Sequence, residues 1–78
     1  MPKELPLIAI GMDQRLIYAR KEAKLTLSQV AIVLGVARDA VWCWEQEGHI
    51  PSDKMFERLA ILYDVRIDYL KTGALATK

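Results

Sequence analysis

Three residues, Gly35, Val36 and Ala37, separate two short segments of helical character, LSQVAIVL (27–34) and RDAVWCWEQ (38–46). Thr26 precedes the first segment and Gln29 follows three residues on, a capping-box pattern. Gly35 suits the left-handed residue that ends a helix. A connection this short excludes an ordinary antiparallel hairpin of long helices. The two segments must be short helices that meet at a tight turn.

Helical patterning continues on both sides. Met12, Leu16, Ala19 and Ala23 recur at i, i+4, i+7 and i+11, one apolar stripe of a first helix that Asp13 caps or opens and that ends near Ala23. EGHIPS (47–52) reads as a loop with Ser52 as the next N-cap. Phe56, Leu59, Ala60 and Tyr63 form the stripe of a fourth helix. Val65 and Ile67 lead into a short fifth helix with Asp68, Tyr69 and Leu70, stopped by Gly73. Strand signals are absent except in LPLIAI (5–10). The predicted core is Leu16, Ala19, Leu25, Val30, Ala31, Leu34, Val36, Val41, Trp44, Phe56, Leu59, Tyr63, Val65 and Leu70. This is an all-α, compact five-helix domain over 12–73, with an N-terminal arm (1–11) and a C-terminal tail (74–78) expected to fray.

Composition excludes several function classes. A chain of 78 residues is one small domain, with an expected stability on the order of 5 kcal/mol or less. One cysteine rules out an internal disulfide and points to a reducing, cytoplasmic setting. One Cys and one His are too few soft ligands for an expected metal site, and no cofactor is implied. No run approaches the roughly 20 apolar residues of a membrane span, and LPLIAI is too short for a signal-peptide core. Cys43 has no neighbouring His or second Cys in the sequence to activate it, and no paired carboxylates stand out. Neither an enzyme nor a small-molecule pocket is expected. The net charge of +1 decides little, so the distribution of charge must indicate the partner.

In GVARDAVWCWEQ, Val41 and Trp44 share the core-facing side of the third helix, while Arg38, Asp39, Trp42 and Cys43 face outward. The order of the pieces resembles the lambda-repressor/Cro family of helix-turn-helix DNA-binding domains, also called the xenobiotic-response-element family. The resemblance covers 12–73 and rests on RLIYARKEAKLT, then Ala31, LGV, Trp44-Glu45, Pro51-Ser52, LA at 59–60 and VRIDYLKTG.

The resemblance implies roles. The segment 27–34 matches the helix that crosses the DNA backbone, and 38–46 matches the recognition helix. Arg38, Asp39 and Cys43 match base-contacting positions, with Trp42 beside them. Arg20 and Glu45 match a pair that braces the first helix against the recognition helix near a phosphate. Arg38 can form the bidentate contact to guanine, and Asp39 can accept from cytosine N4. Asp39 can equally be a first-turn acid favoured by the helix dipole. Trp42 either meets DNA or packs under the 47–51 loop or a partner subunit. Arg15, Arg20, Lys21, His49 and Lys54 can supply a basic rim, and Ser52, at the start of the fourth helix, can help hold a phosphate.

The chain departs from the family pattern with Leu27 for a usual Gln, Lys24 for a frequent Gly, Ile32 and Val33 for a charged pair, and Cys43 for a longer polar residue. These changes make the expected reading surface unusually apolar.

The leading expectation is therefore a transcriptional regulator that binds a palindromic double-stranded operator as a homodimer, joined through Ile67, Tyr69 and Leu70. From chain length, it resembles a Cro-like phage or prophage regulator or a stand-alone bacterial repressor. LPLIAI is expected to add a strand, wrap the partner or fold over its own helices. The alternative is an antitoxin or other protein-interaction module using Leu27, Ile32, Val33 and Trp42.

Overall fold

The ends of the helices set the architecture. The computed structural model describes residues 11–73, so the expectations for LPLIAI and the 74–78 tail lie outside the described residues. Helix α1 (Met12–Glu22) starts from Gly11, which the sequence reading placed in the arm. Asp13 is not the cap but sits in the first turn, where its carboxylate accepts from the Gln14 N–H at 2.9 Å.

Helix α2 (Leu27–Leu34) has the expected capping box: the Gln29 N–H donates to Thr26 Oγ1 (3.1 Å) and the Thr26 N–H to Gln29 Oε1 (2.8 Å). Gly35 closes α2 at φ +73°, and the Val36 N–H reaches back to the Ala31 carbonyl at 3.0 Å. This left-handed residue lets the chain bend by 119° into α3 (Arg38–Gln46), within the range of two helices joined by a tight turn. Ser52 caps α4 (Asp53–Tyr63), its Oγ accepting from the Met55 N–H at 3.2 Å. Helix α5 (Ile67–Thr72) ends at Gly73, which is left-handed at φ +79°.

Helix α1 lies at the centre of the packing, touching α3, α4 and α5, while α2 packs on α3 and α4 on α5. The core gathers Leu16, Val30, Leu34, Val41, Phe56, Leu59, Tyr63 and Leu70 from all five helices. Leu25, Val36 and Trp44, predicted as core, are only partly buried and pack on its edge, whereas Ala60 and Tyr69 are inside it.

Two arginines fasten helix C-termini. Arg58 Nη1 donates to the Leu34 carbonyl of α2 at 3.2 Å. Arg15 Nη2 donates to the Leu70 and Lys71 carbonyls of α5, each at 3.3 Å. Both place a cation where the helix dipole favours it. Arg15, expected at a phosphate, is buried, and its guanidinium is directed to α5. That expectation is corrected by the packing of α1 on α5. Lys71 adds a second tie, 3.1 Å from the Asp53 carboxylate and over the Phe56 ring. Among the described residues, no single helix is long and apolar enough to cross a membrane.

Candidate nucleic-acid interface

Helix α3 is amphipathic in an unusual way. Its fully buried residues are Val41 and Glu45, four apart on one face, with Trp44 only half-buried beside them. A carboxylate with 2% exposure needs a partner, and Arg20 of α1 supplies one. Arg20 Nε donates to Glu45 Oε2 at 2.8 Å and Nη2 to Oε1 at 3.1 Å, the bidentate geometry that makes such pairs directional. Arg20 Nη1 also donates to the Leu25 carbonyl at 2.9 Å. One arginine therefore joins α1, the α1–α2 turn and α3. Only a narrow edge of its side chain stays exposed, which limits what it can offer a phosphate.

The opposite face of α3 is open. Arg38, Asp39, Trp42, Cys43 and Glu47 line a shallow surface groove of about 310 Å³. The structure thus brings together the four side chains expected to read bases, with Trp42 40% exposed. Ala37 at the N-cap offers no side-chain acceptor to the first N–H groups of α3, and Asp39 lies in its first turn.

The expected phosphate-contacting residues differ in freedom. Lys54 is exposed at the start of α4. The Ser52 hydroxyl is engaged as the α4 cap, so its capping role holds and its oxygen is already an acceptor. His49 is exposed in the loop, with Nε2 3.8 Å from Glu47 Oε1.

Cys43 is not isolated, as it looked in the sequence. The ligand-type atoms of Cys43, Glu47 and His49 all lie within 4.8 Å of one another. Burial of the thiol, its hydrogen bond to Glu47, and the carboxylates of Glu47 and Asp39 all push its pKa up, so it is a protonated thiol at neutral pH. Counting soft ligands missed this cluster because the count omitted glutamate. The i, i+4 spacing of Cys43 and Glu47 was the available signal.

On α5, Tyr69 and Leu70 are buried in the monomer core, and Ile67 is half-buried. The expectation that Tyr69 and Leu70 form a dimer interface is corrected: the packing of α5 on α1 and α4 occupies them. Among the described residues, the large apolar side chains left exposed are elsewhere: Tyr18 on α1, Ile32 and Val33 on α2, Trp42 on α3, Ile50 in the loop and Ile61 on α4.

A family model described as helix-turn-helix matches residues 16–70. A relative named as an uncharacterized HTH-type transcriptional regulator, YobD of Bacillus subtilis (strain 168), is 40% identical over 57 residues. That match covers 73% of this chain and 51% of the relative, so it spans about half of the relative's length. The family match runs from within α1 to within α5, through the capped α2, the turn at Gly35 and the open face of α3. On that match, the chain belongs to the lambda-repressor/Cro-like helix-turn-helix family.

Proposed function

We propose that this protein is a sequence-specific DNA-binding transcriptional regulator that inserts α3 into the major groove. In its finer form the reading is a Cro-like repressor that meets a palindromic operator as a homodimer. The observation that carries it is the convergence of Arg38, Asp39, Trp42 and Cys43 on one exposed face of a helix whose other face is pinned by Glu45 and Arg20. A reading helix must hold its register against the backbone it lies beside, and the buried bidentate pair supports that rigidity.

In this reading Arg38 contacts guanine O6 and N7, while Asp39 accepts from cytosine N4. Trp42 presses its ring against the groove floor. Phosphates are held by Lys54, by the backbone N–H groups at the start of α4, and by His49. Two copies place their α3 helices roughly 34 Å apart, one helical turn of DNA. With Tyr69 and Leu70 committed to the core, contact between copies falls to Ile67 and the exposed Ile61, which shares a groove with Val33.

Exposed Ile32 and Val33 favour a second reading, an antitoxin-like module that binds a partner protein through α2. Footprinting on the DNA upstream of the protein's own gene separates the two. Two protected half-sites about one helical turn apart are expected. No protection at low salt, or protection indifferent to sequence, would overturn the DNA reading in favour of the protein partner.

A further inference from the structure

We propose that Cys43, Glu47 and His49 form a binding site for one borderline-soft divalent cation of the zinc class, at the C-terminal end of α3. The donors are a thiol, a carboxylate and an imidazole, the three side-chain types that zinc takes as ligands. Their ligand atoms already converge within 4.8 Å. Bond lengths near 2.0 to 2.3 Å put the donors of a tetrahedral zinc about 3.5 Å apart. His49 Nε2 and Glu47 Oε1, at 3.8 Å, are already close to that separation, and no pair has to close by more than roughly 1.3 Å. His49 and Glu47 have side chains 65% and 48% exposed, so rotation is open to both.

The backbone makes the convergence a fixed property of this helix end. Glu47 and His49 both donate their N–H to the Cys43 carbonyl, at 3.0 and 3.2 Å. Gly48, at φ +72°, provides the left-handed turn that brings His49 back over the last turn of α3. Cys43 and Glu47 are four apart on the helix and share a face. All three ligands thus depend on one carbonyl and one turn rather than on distant elements.

On binding, the Cys43 S–H bond breaks, its proton passes to solvent, and the sulfur forms a bond to the ion. The Glu47 carboxylate and the new thiolate together balance the two charges of the ion. Three protein donors leave the fourth tetrahedral position to water. The negative charge that Glu47 brings to the groove beside Arg38 and Trp42 is thereby cancelled.

The test is a titration of the full chain with Co²⁺, without DNA, so that failure here leaves the DNA reading intact and failure of the footprint leaves the ion site intact. Saturation at one equivalent is expected, with thiolate-to-cobalt charge-transfer absorption, the strong visible bands of tetrahedral cobalt, and displacement by Zn²⁺. Cys43→Ser should abolish the charge-transfer band. His49→Ala and Glu47→Gln should each weaken binding by more than the roughly 10-fold that loss of a supporting partner costs. Circular dichroism confirms that each variant remains folded. No thiolate band at one equivalent would overturn the site. So would a band and affinity unchanged in His49→Ala and Glu47→Gln, which would mark a lone thiol.

Discussion

Glu45 has almost no contact with water, and its charge is tolerated because Arg20 holds both of its oxygens. Removing one partner of a buried pair leaves the other without compensation, whereas replacing both by apolar groups of similar volume is often neutral. Arg20→Met alone should therefore cost about 3 kcal/mol in urea denaturation. Arg20→Met combined with Glu45→Met should recover most of that loss. Equal losses in the single and double variants would contradict the pairing as described. At this scale the sequence was only partly legible. The Arg20–Glu45 pair was suggested by family pattern, and Gly35 by its type and place. Arg15 misled because an arginine on a helix looks the same whether it faces a phosphate or a neighbouring helix end. Only the packing of α5 on α1 brings carbonyls within its reach.

At the scale of the element, three helices close alike. Lys24, Gly35 and Asp64 are all left-handed, and the next N–H bonds back across the last turn, from Leu25 to Arg20, Val36 to Ala31 and Val65 to Ala60. Glycine declared this geometry at position 35. Lysine and aspartate do not, so the left-handed turn after α1 was signalled only by the family's frequent Gly at position 24, and the one after α4 was not signalled by residue type. Asp64 at φ 57° is a residue that visits this region at modest cost, but Lys24 at φ 61° is not. Lys24→Gly should raise stability by about 1 kcal/mol, seen as a higher denaturation midpoint at unchanged slope. A lower midpoint would contradict strain at that turn. Helix α5 was legible as a helix but not in its orientation. Six residues give too few turns for a periodicity to say which side is inward, and Tyr69 was therefore assigned to a partner rather than to the core.

At the scale of the whole molecule, the core includes an ionisable group. Burial, with a further contribution from the Glu45 carboxylate and an opposing one from Arg20, raises the pKa of the Tyr63 phenol well above the usual tyrosine value. The unfolded chain releases this proton near pH 10 while the folded chain keeps it. The associated stability is therefore fully present below about pH 10 and is lost as pH rises further. Tyr63→Phe should flatten the alkaline loss of stability by up to about 1.4 kcal/mol per pH unit, measured by urea denaturation from neutral to alkaline pH. An unchanged slope would show that Tyr63 ionises alike in both states.

The proposed reading of bases by α3 is tested most directly by comparing wild type with Arg38→Ala on the protected half-site and on duplexes changed one base at a time. The expected result is a loss of about 1–3 kcal/mol on the preferred sequence, with base preference relaxed at one position of each half-site. Lys54→Ala serves as the reference, because in the proposed complex it meets only phosphate, and loss of such a contact weakens binding evenly across all sequences. If Arg38→Ala kept both the affinity and the base preference of the wild type, α3 would not be the element that reads DNA through Arg38.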